Sequence, residues 1–549
     1  MLNRDKGKTI IREAPVGTSE WQDDETRVVI NEEEKKIVLD VGNIQGNIID
    51  GFNKDYQTMV FLRLEDEGLK DLLPFRLWLS QVTPQVATTD EVLAFNALFK
   101  QMRKRRGGEG FLKSTWINIA FSHRLLRVLT QGDPKGYDWE TLKDDAFEAG
   151  MQARAVKELG DPEDPAHPGH PSNWLFGGPH NEADVVLIVA SDEPDDLNDC
   201  IKALLLHLPK SLAVVTSVEG ETLRGDLKGH EHFGFLDGVS QPGIRGRASE
   251  DPFDVLTRRH KPKEAPGQGK PGQDLVWPGE FVLGYPGEPV PPLRDHAERR
   301  GPELTPEQKL REELEKRPGP SAVPEDHWMA DGSFLVVRRL RQEVEKFNAF
   351  LEARSRELSS VAPISAHQLG AMLVGRWKSG APILKAPEKD DADLGAKDLE
   401  NNDFEFAGDA HGKVCPFAAH IRKTYTRDDS GRADISEEHA QTRRLLRRGI
   451  PFTTEKDRGL LFASYQTSIA DQFEFIQKSA NDPSFKSDGA GHDLIIGQTN
   501  AGGSRRRSAK IYWNGEQNVV ADEDFVIPTG GGYFFAPSRK TLERFSKGE

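Results

Sequence analysis

An aspartate held between glycines is the first place where this chain could move protons. Asp237 lies in Gly234-Phe235-Leu236-Asp237-Gly238, inside the longer run His230 to Gly243. Alternation of Phe233 and Phe235 with small or polar neighbours predicts a strand, which the two glycines and the Gln241-Pro242-Gly243 turn then end. A carboxyl at that strand end, beside Phe235 and Leu236, would stand in poorly solvated surroundings that suit acid–base work. Asp-Gly is also an ordinary turn signal, so the run by itself leaves both readings open. His230 and His232 flank Glu231, and on a strand both imidazoles would share one face, either to hold a metal or to position Asp237.

Three later stretches supply partners for such chemistry. Cys415-Pro416-Phe417-Ala418-Ala419-His420-Ile421-Arg422-Lys423 sets one histidine after a small apolar run and before a basic cluster. Arg444-Leu445-Leu446-Arg447-Arg448-Gly449-Ile450-Pro451-Phe452 interleaves arginines with apolar residues and stops at Gly and Pro. Gly459 to Gln466 reads as a strand, and Asp493-Leu494-Ile495-Ile496-Gly497 follows. In an extended segment, Arg447 and Arg448 leave opposite faces.

At these positions the sequence closely resembles the haem-containing dye-decolourising peroxidases, in particular their longer-chain members. The resemblance rests on Gly234 to Gly238, His420 to Lys423, Leu446 to Pro451 and Pro528 to Ser538, and begins near Asn43-Ile44-Gln45-Gly46-Asn47-Ile48. It implies that His420 is the axial ligand of a haem iron. Asp493, or alternatively Asp471, would accept a hydrogen bond from the ring's other nitrogen and increase its basicity. Asp237 matches the family's acid–base group on the open face and Arg447 its arginine, whose fixed charge steadies the departing oxygen. Leu460 and Phe462 match the apolar residues that close the pocket, while Arg422 and Arg427 are candidate partners of a haem propionate. Thr424-Tyr425-Thr426-Arg427 stands where many relatives carry Asn-Pro before the arginine, a departure that touches Arg427 and not His420. Since bulky dyes do not enter a closed haem pocket, Trp377, Tyr425, Trp513 and Tyr533 are candidate electron relays, each set against a plainer reading as packing.

These residues need rigid elements behind them. Hydrophobic patterning predicts strands at 59–64, 116–121, 183–190, 213–215, 281–285, 334–340 and 459–465. It predicts helices between 71 and 101, at 125–129, at 197–205, up to about 358, and along Ile469, Phe473, Ile476 and Ala480. Such alternation suits an α+β fold. The resemblance makes it two ferredoxin-like α+β domains with antiparallel sheets and the haem in the C-terminal half. The expected organisation is a charged arm over 1–36, an N-terminal domain over 37–218, and a haem-binding domain over 219–549 with a charged insertion at about 258–324.

The implied activity is reduction of hydrogen peroxide coupled to one-electron oxidation of dyes, phenols or other bulky organic substrates, with haem b (iron protoporphyrin IX) as cofactor. A haem-handling or iron-releasing protein on the same scaffold is the alternative, against which intact Asp237 and Arg447 argue. A haem-free interaction protein is a third reading. A net charge of −16 repels phosphate backbones, so nucleic acid is not an expected partner. No unbroken run of about 18 apolar residues is present to span a membrane. Two cysteines, Cys200 and Cys415, are too few for a disulfide framework or a four-thiolate metal site. His167 and His170, among prolines and glycines, read as a surface loop before a metal site. No glycine fingerprint for a nucleotide follows any strand. The charged start, Met1 to Lys6, lacks the apolar core of a secretory signal, so a cytoplasmic location is expected, with leaderless export as the other route.

Overall fold

A computed structural model describes residues 30–106, 112–131, 137–259, 267–289, 317–428, 437–485 and 489–549. Its first half is built on β1 (Tyr56–Leu64), β2 (Thr115–Phe121), β3 (Val185–Ser191) and β4 (Leu212–Glu221), antiparallel in the order β4-β1-β3-β2. With helices returning between them, that order is ferredoxin-like. Val185–Ser191 is buried along its whole length. An apolar run without alternation forms a strand here because both of its faces are covered.

The second half opens with a short parallel ladder, β5 (Gly243–Ile244) on β6 (Leu275–Val276). Its main layer is formed by β7 (Ser333–Gln342), β8 (Leu446–Arg447), β9 (Ile450–Thr453), β10 (Arg458–Gln466) and β13 (Val526–Ala536). The order is β13-β7-β10-β8, with β9 also on β10, and a hairpin of β11 (Arg507–Tyr512) and β12 (Glu516–Ala521) stands apart. Phe535 of β13 pairs with Phe121 of β2, so the two halves share one sheet.

Three apolar clusters fill the molecule. One lies under the helices around Phe75, Trp78 and Leu125. A second runs between the halves through Met59, Ile188, Val337 and Ala463. The third, around Phe235, Phe347, Met372, Ala419 and Leu494, belongs to the second half alone and carries the candidate site.

Tertiary packing revises three boundaries. Residue 218 falls inside β4, whose pairing with β1 continues to Glu221, so the first half closes after that strand. The charged arm is not loose to residue 36: Glu32–Lys36 is a helix with an Asn31–Glu34 capping box. Glu34 is 1% exposed and ion-paired to Arg245 at 2.9 Å and Arg259 at 2.7 Å, whereas residues 1–29 lie outside the described residues. Of the expected insertion, 260–266 and 290–316 also lie outside them. The segment between is core, with Trp277, Phe281, Val282 and Leu283 fully buried. Residues 281–285 turn instead of extending, because Pro278 starts a tight helical turn and Gly284 takes a φ of 90°.

Candidate functional site

His420 opens the short helix His420–Thr424. Its Nδ1 lies 2.7 Å from Asp493 Oδ2, and Asp493 is wholly buried. The other Asp493 oxygen accepts the backbone N–H groups of Ile495 at 2.7 Å and Ile496 at 3.2 Å, which fixes the carboxylate in place. A carboxylate only accepts, so a neutral ring carries its proton on Nδ1 and leaves the Nε2 lone pair for a metal. Nε2 makes no hydrogen bond among the described residues, and the side chain is 28% exposed, so the ring reaches open space. Asp471, the rival acceptor, stands at the surface and pairs with Arg443 at 3.2 Å.

The helix Ala366–Val374 backs this element and ends in Gly375 at φ 93°. A Cβ there would stand 2.4 Å from Ile421 Cγ1, so the absent side chain lets the His420 helix come close.

On the other wall, Arg447 lies on β8 opposite Ser464 of β10. Directly opposed residues share a face, and Leu460, Phe462 and Ser464 alternate along β10, so Arg447, Leu460 and Phe462 stand on one side of the sheet. Phe462 packs against Phe473, with ring centroids 5.9 Å apart. Arg447 donates to the Ser240 carbonyl at 2.8 Å, and its backbone is clamped by Gln241, which donates to its carbonyl at 3.0 Å. The sheet thereby holds the turn that follows Asp237. Arg447 has no carboxylate partner among the described residues.

The expected strand at Phe233–Phe235 is instead a turn, closed by a His230–Leu236 bridge. Its backbone N–H groups go to the Glu231 carboxylate and not to a neighbouring strand, and Gly234 takes a φ of 88°. His230 and His232 therefore share no strand face: their ring nitrogens sit at the carbonyls of Lys228 and Phe452. Asp237 is exposed rather than packed among apolar side chains; Phe233 and Phe235 turn into the third cluster while the carboxyl turns away. One of its oxygens accepts the Gly238 N–H at 2.6 Å.

The two propionate candidates separate. Arg422 is spent inside the protein, ion-paired to Asp409 at 3.1 Å, donating to the Cys415 and Asp409 carbonyls and lying between Phe406 and Phe417. It is fully buried and unavailable to a ligand. Arg427 is different. It and Arg376 both donate to Asn402 Oδ1, at 2.6 Å and 2.7 Å, and otherwise to backbone carbonyls. Neither has a carboxylate partner among the described residues. Burial, with the charge of Arg427 added, pushes Arg376 down to about 9, and burial lowers Arg427 as well. Sequence reasoning missed Arg376; the available signal was a basic residue interrupting the apolar run from Leu369 to Trp377.

Among the relay candidates, Trp377 and Tyr533 are 4% exposed, and Tyr533 hydrogen-bonds Glu474 at 3.0 Å, so neither is a surface aromatic. Trp513 donates to the Ala362 carbonyl at 2.8 Å, and Tyr425 donates to Asp274. Tyr512, which was not singled out, is 44% exposed. No group of histidine, cysteine or carboxylate side chains suited to a metal ion, His167 and His170 included, occurs among the described residues. No helix among them is long and apolar enough to cross a membrane.

A free imidazole nitrogen backed by a buried carboxylate, and a buried arginine pair with no ion-paired carboxylate among the described residues, fit a haem. The first suits the iron and the second the propionates.

Comparison with known proteins gives two family matches: a DyP dimeric alpha+beta barrel domain over residues 43–224 and a Dyp-type peroxidase C-terminal domain over 365–495. The dye-decolorizing peroxidase of Mycena epipterygia is 32% identical over 91% of this chain and 86% of its own length. Dye-decolorizing peroxidase msp1 of Mycetinis scorodonius is 30% identical over 92% of this chain and 87% of its own. A Yersinia pestis deferrochelatase is 28% identical over 38% of this chain and 33% of its own. Among solved structures, an ancestral D-type dye decolorizing peroxidase has a TM-score of 0.70 at 33% identity, covering 92% of this chain and 99% of that one. A dye-decolorizing peroxidase in complex with 2,6-dimethoxyphenol has a TM-score of 0.67 at 28% identity, covering 93% of this chain and 100% of that one.

Proposed function

This chain belongs to the dye-decolourising peroxidase family, and within it we propose a haem b enzyme in which His420 holds the iron and Asp237 with Arg447 serves the peroxide. It is a peroxidase that reduces hydrogen peroxide and oxidises dyes and phenolic or similar organic substrates. The observation that carries the site assignment is the His420–Asp493 pair at 2.7 Å, which leaves Nε2 as the free nitrogen.

When bound, the haem supplies the redox chemistry by which peroxide delivers two oxidising equivalents and substrate discharges them one electron at a time. Asp493 keeps the proton on His420 Nδ1 and so presents Nε2 to the metal in a fixed orientation. Asp237 takes the proton from one peroxide oxygen and returns it to the other, a task worth roughly 10² to 10⁴ in rate. Arg447, permanently charged, stabilises the negative charge that develops on the departing oxygen. Leu460 and Phe462 keep water from that side, and Arg427 with Arg376 meets the propionates. The deferrochelatase likeness reaches a minor part of the chain, and Asp237 and Arg447 on facing elements favour peroxide chemistry over iron release.

The test is the absorption spectrum of purified protein before and after hydrogen peroxide, for wild type and for His420→Ala. Wild type should show a Soret band that changes on addition of peroxide. The alanine variant should fold yet retain no stoichiometric haem; an unchanged haem content and axial-ligand spectrum would remove His420 from the site.

A further inference from the structure

Glu231 has no assigned role, yet the loop that ends in Asp237 is folded around its side chain. Its Oε2 accepts the Phe233 N–H at 2.8 Å and its Oε1 the Phe235 N–H at 2.9 Å. Its own backbone closes the same turn, with the Glu231 N–H donating to the Phe235 carbonyl at 3.0 Å and the Gly234 N–H donating to the Glu231 carbonyl at 2.8 Å. Gln342, at the end of β7, donates a third hydrogen bond to the carboxylate. Asp237 follows directly, its N–H on the Gly229 carbonyl at 3.0 Å, while the Leu236 N–H holds the Lys378 carbonyl at 3.1 Å.

Three donors and no acceptor surround this carboxylate, and no cation pairs with it among the described residues. A half-buried anion with no cation beside it depends on its hydrogen bonds, and bonds to an ionised acceptor are about twice as strong as neutral ones. Burial pushes Glu231 above the usual carboxylate range; the three N–H donors oppose that push, and the nearby Asp237 charge adds to it.

We propose that Glu231 is a positioning residue for the peroxide step: its carboxylate templates the 231–235 turn, ties that turn to the end of β7 through Gln342, and so fixes where the Asp237 carboxyl points. This rests on Asp237 being the acid–base group. Glutamine cannot substitute, because its amide N–H would face a donor. A displacement of about 1 Å at a reacting group costs about 10²-fold in rate.

The experiment measures, in haem-loaded protein, the second-order rate of reaction with hydrogen peroxide by stopped flow at the Soret band. Haem stoichiometry and KM for 2,6-dimethoxyphenol are measured alongside. Glu231→Gln should lose about 10²-fold in the peroxide step, with haem content and phenol KM kept. In the Asp237→Asn background it should cost nothing further, because both changes act through one group. Gln342→Met, which removes a single donor, gives a milder loss of the same kind and serves if the glutamine variant does not fold. Wild-type peroxide rates in Glu231→Gln or Gln342→Met, or losses that multiply in the double variant, overturn the inference while Asp237 keeps its role. A wild-type rate in Asp237→Asn removes the Asp237 assignment itself, and this inference with it.

Discussion

Arg447 and Arg448 are chemically identical neighbours that the fold commits to different tasks. Arg447 offers its guanidinium to the Asp237 turn through the Ser240 carbonyl, with no anion to occupy it among the described residues. Arg448 leaves the opposite face and donates to the carbonyls of Asn47, Ile48 and Ile49 at 2.9, 3.1 and 2.7 Å, closing the end of a short helix. Arg447→Leu should therefore slow the reaction with peroxide by 10²-fold or more, roughly the worth of one fixed charge-stabilising donor, with little change in unfolding. Arg448→Leu should leave buried carbonyls unsatisfied and cost about 2 kcal/mol of stability, with the peroxide step nearly intact. Stopped flow and urea unfolding on both variants separate the two tasks, and equal peroxide rates would show the face assignment to be wrong.

At the scale of elements, the His420 helix depends on how closely the helix Ala366–Val374 can approach it. Gly375 ends that helix in the left-handed region, and its missing Cβ makes room for Ile421 and, at 3.4 Å, for Cys415 Sγ. Gly375→Val should cost about 2 kcal/mol through the strained φ and the clash. It should also loosen haem, since Ile421 follows His420, the proposed ligand, directly in the chain. Urea unfolding and haem retained after gel filtration read both effects; wild-type haem affinity in a destabilised variant would mean that the helix tolerates the shift. The elements themselves were largely legible in the chain. The strands at β1, β2, β3, β7 and β10 follow from local apolar patterning, as does the opposed aim of Arg447 and Arg448. The 230–237 turn was not legible, because the acceptor that replaces a partner strand is a side chain within the same run.

Across the whole molecule, the 267–289 segment ties the site's sheet to its surroundings through Glu280, whose carbonyl accepts the Thr467 N–H at 3.1 Å and the Gln472 amide at 3.0 Å. Burial pushes its carboxyl up to about 8, helped by the charge of Glu288. An acid held above its unfolded value binds its proton more tightly when folded. Its contribution is fully present below about pH 4.5 and is lost as pH rises through about 8. Stability should decline across that window by on the order of a few kcal/mol, and Glu280→Gln should flatten the decline while keeping the oxygen that accepts the Glu288 N–H. Urea unfolding at pH 5 and pH 8 measures it; an equal decline in both proteins would assign the titration elsewhere.

The sequence by itself determined which side chains this site has to work with, because identity and short-range order are local: a single histidine before a basic cluster, an aspartate between glycines, two arginines on alternate faces. Only the tertiary structure decided which of them are free. Asp493 reaches His420 across 73 positions while Asp471 is left to Arg443 at the surface. Arg422, two residues from the histidine, is consumed by Asp409, whereas Arg427 and Arg376 share one amide oxygen and form no ion pair among the described residues. Asp237 stands exposed because its apolar neighbours turn inward. Burial and charge pairing depend on groups that the fold brings in from distant parts of the chain, and no local pattern encodes which partner arrives first.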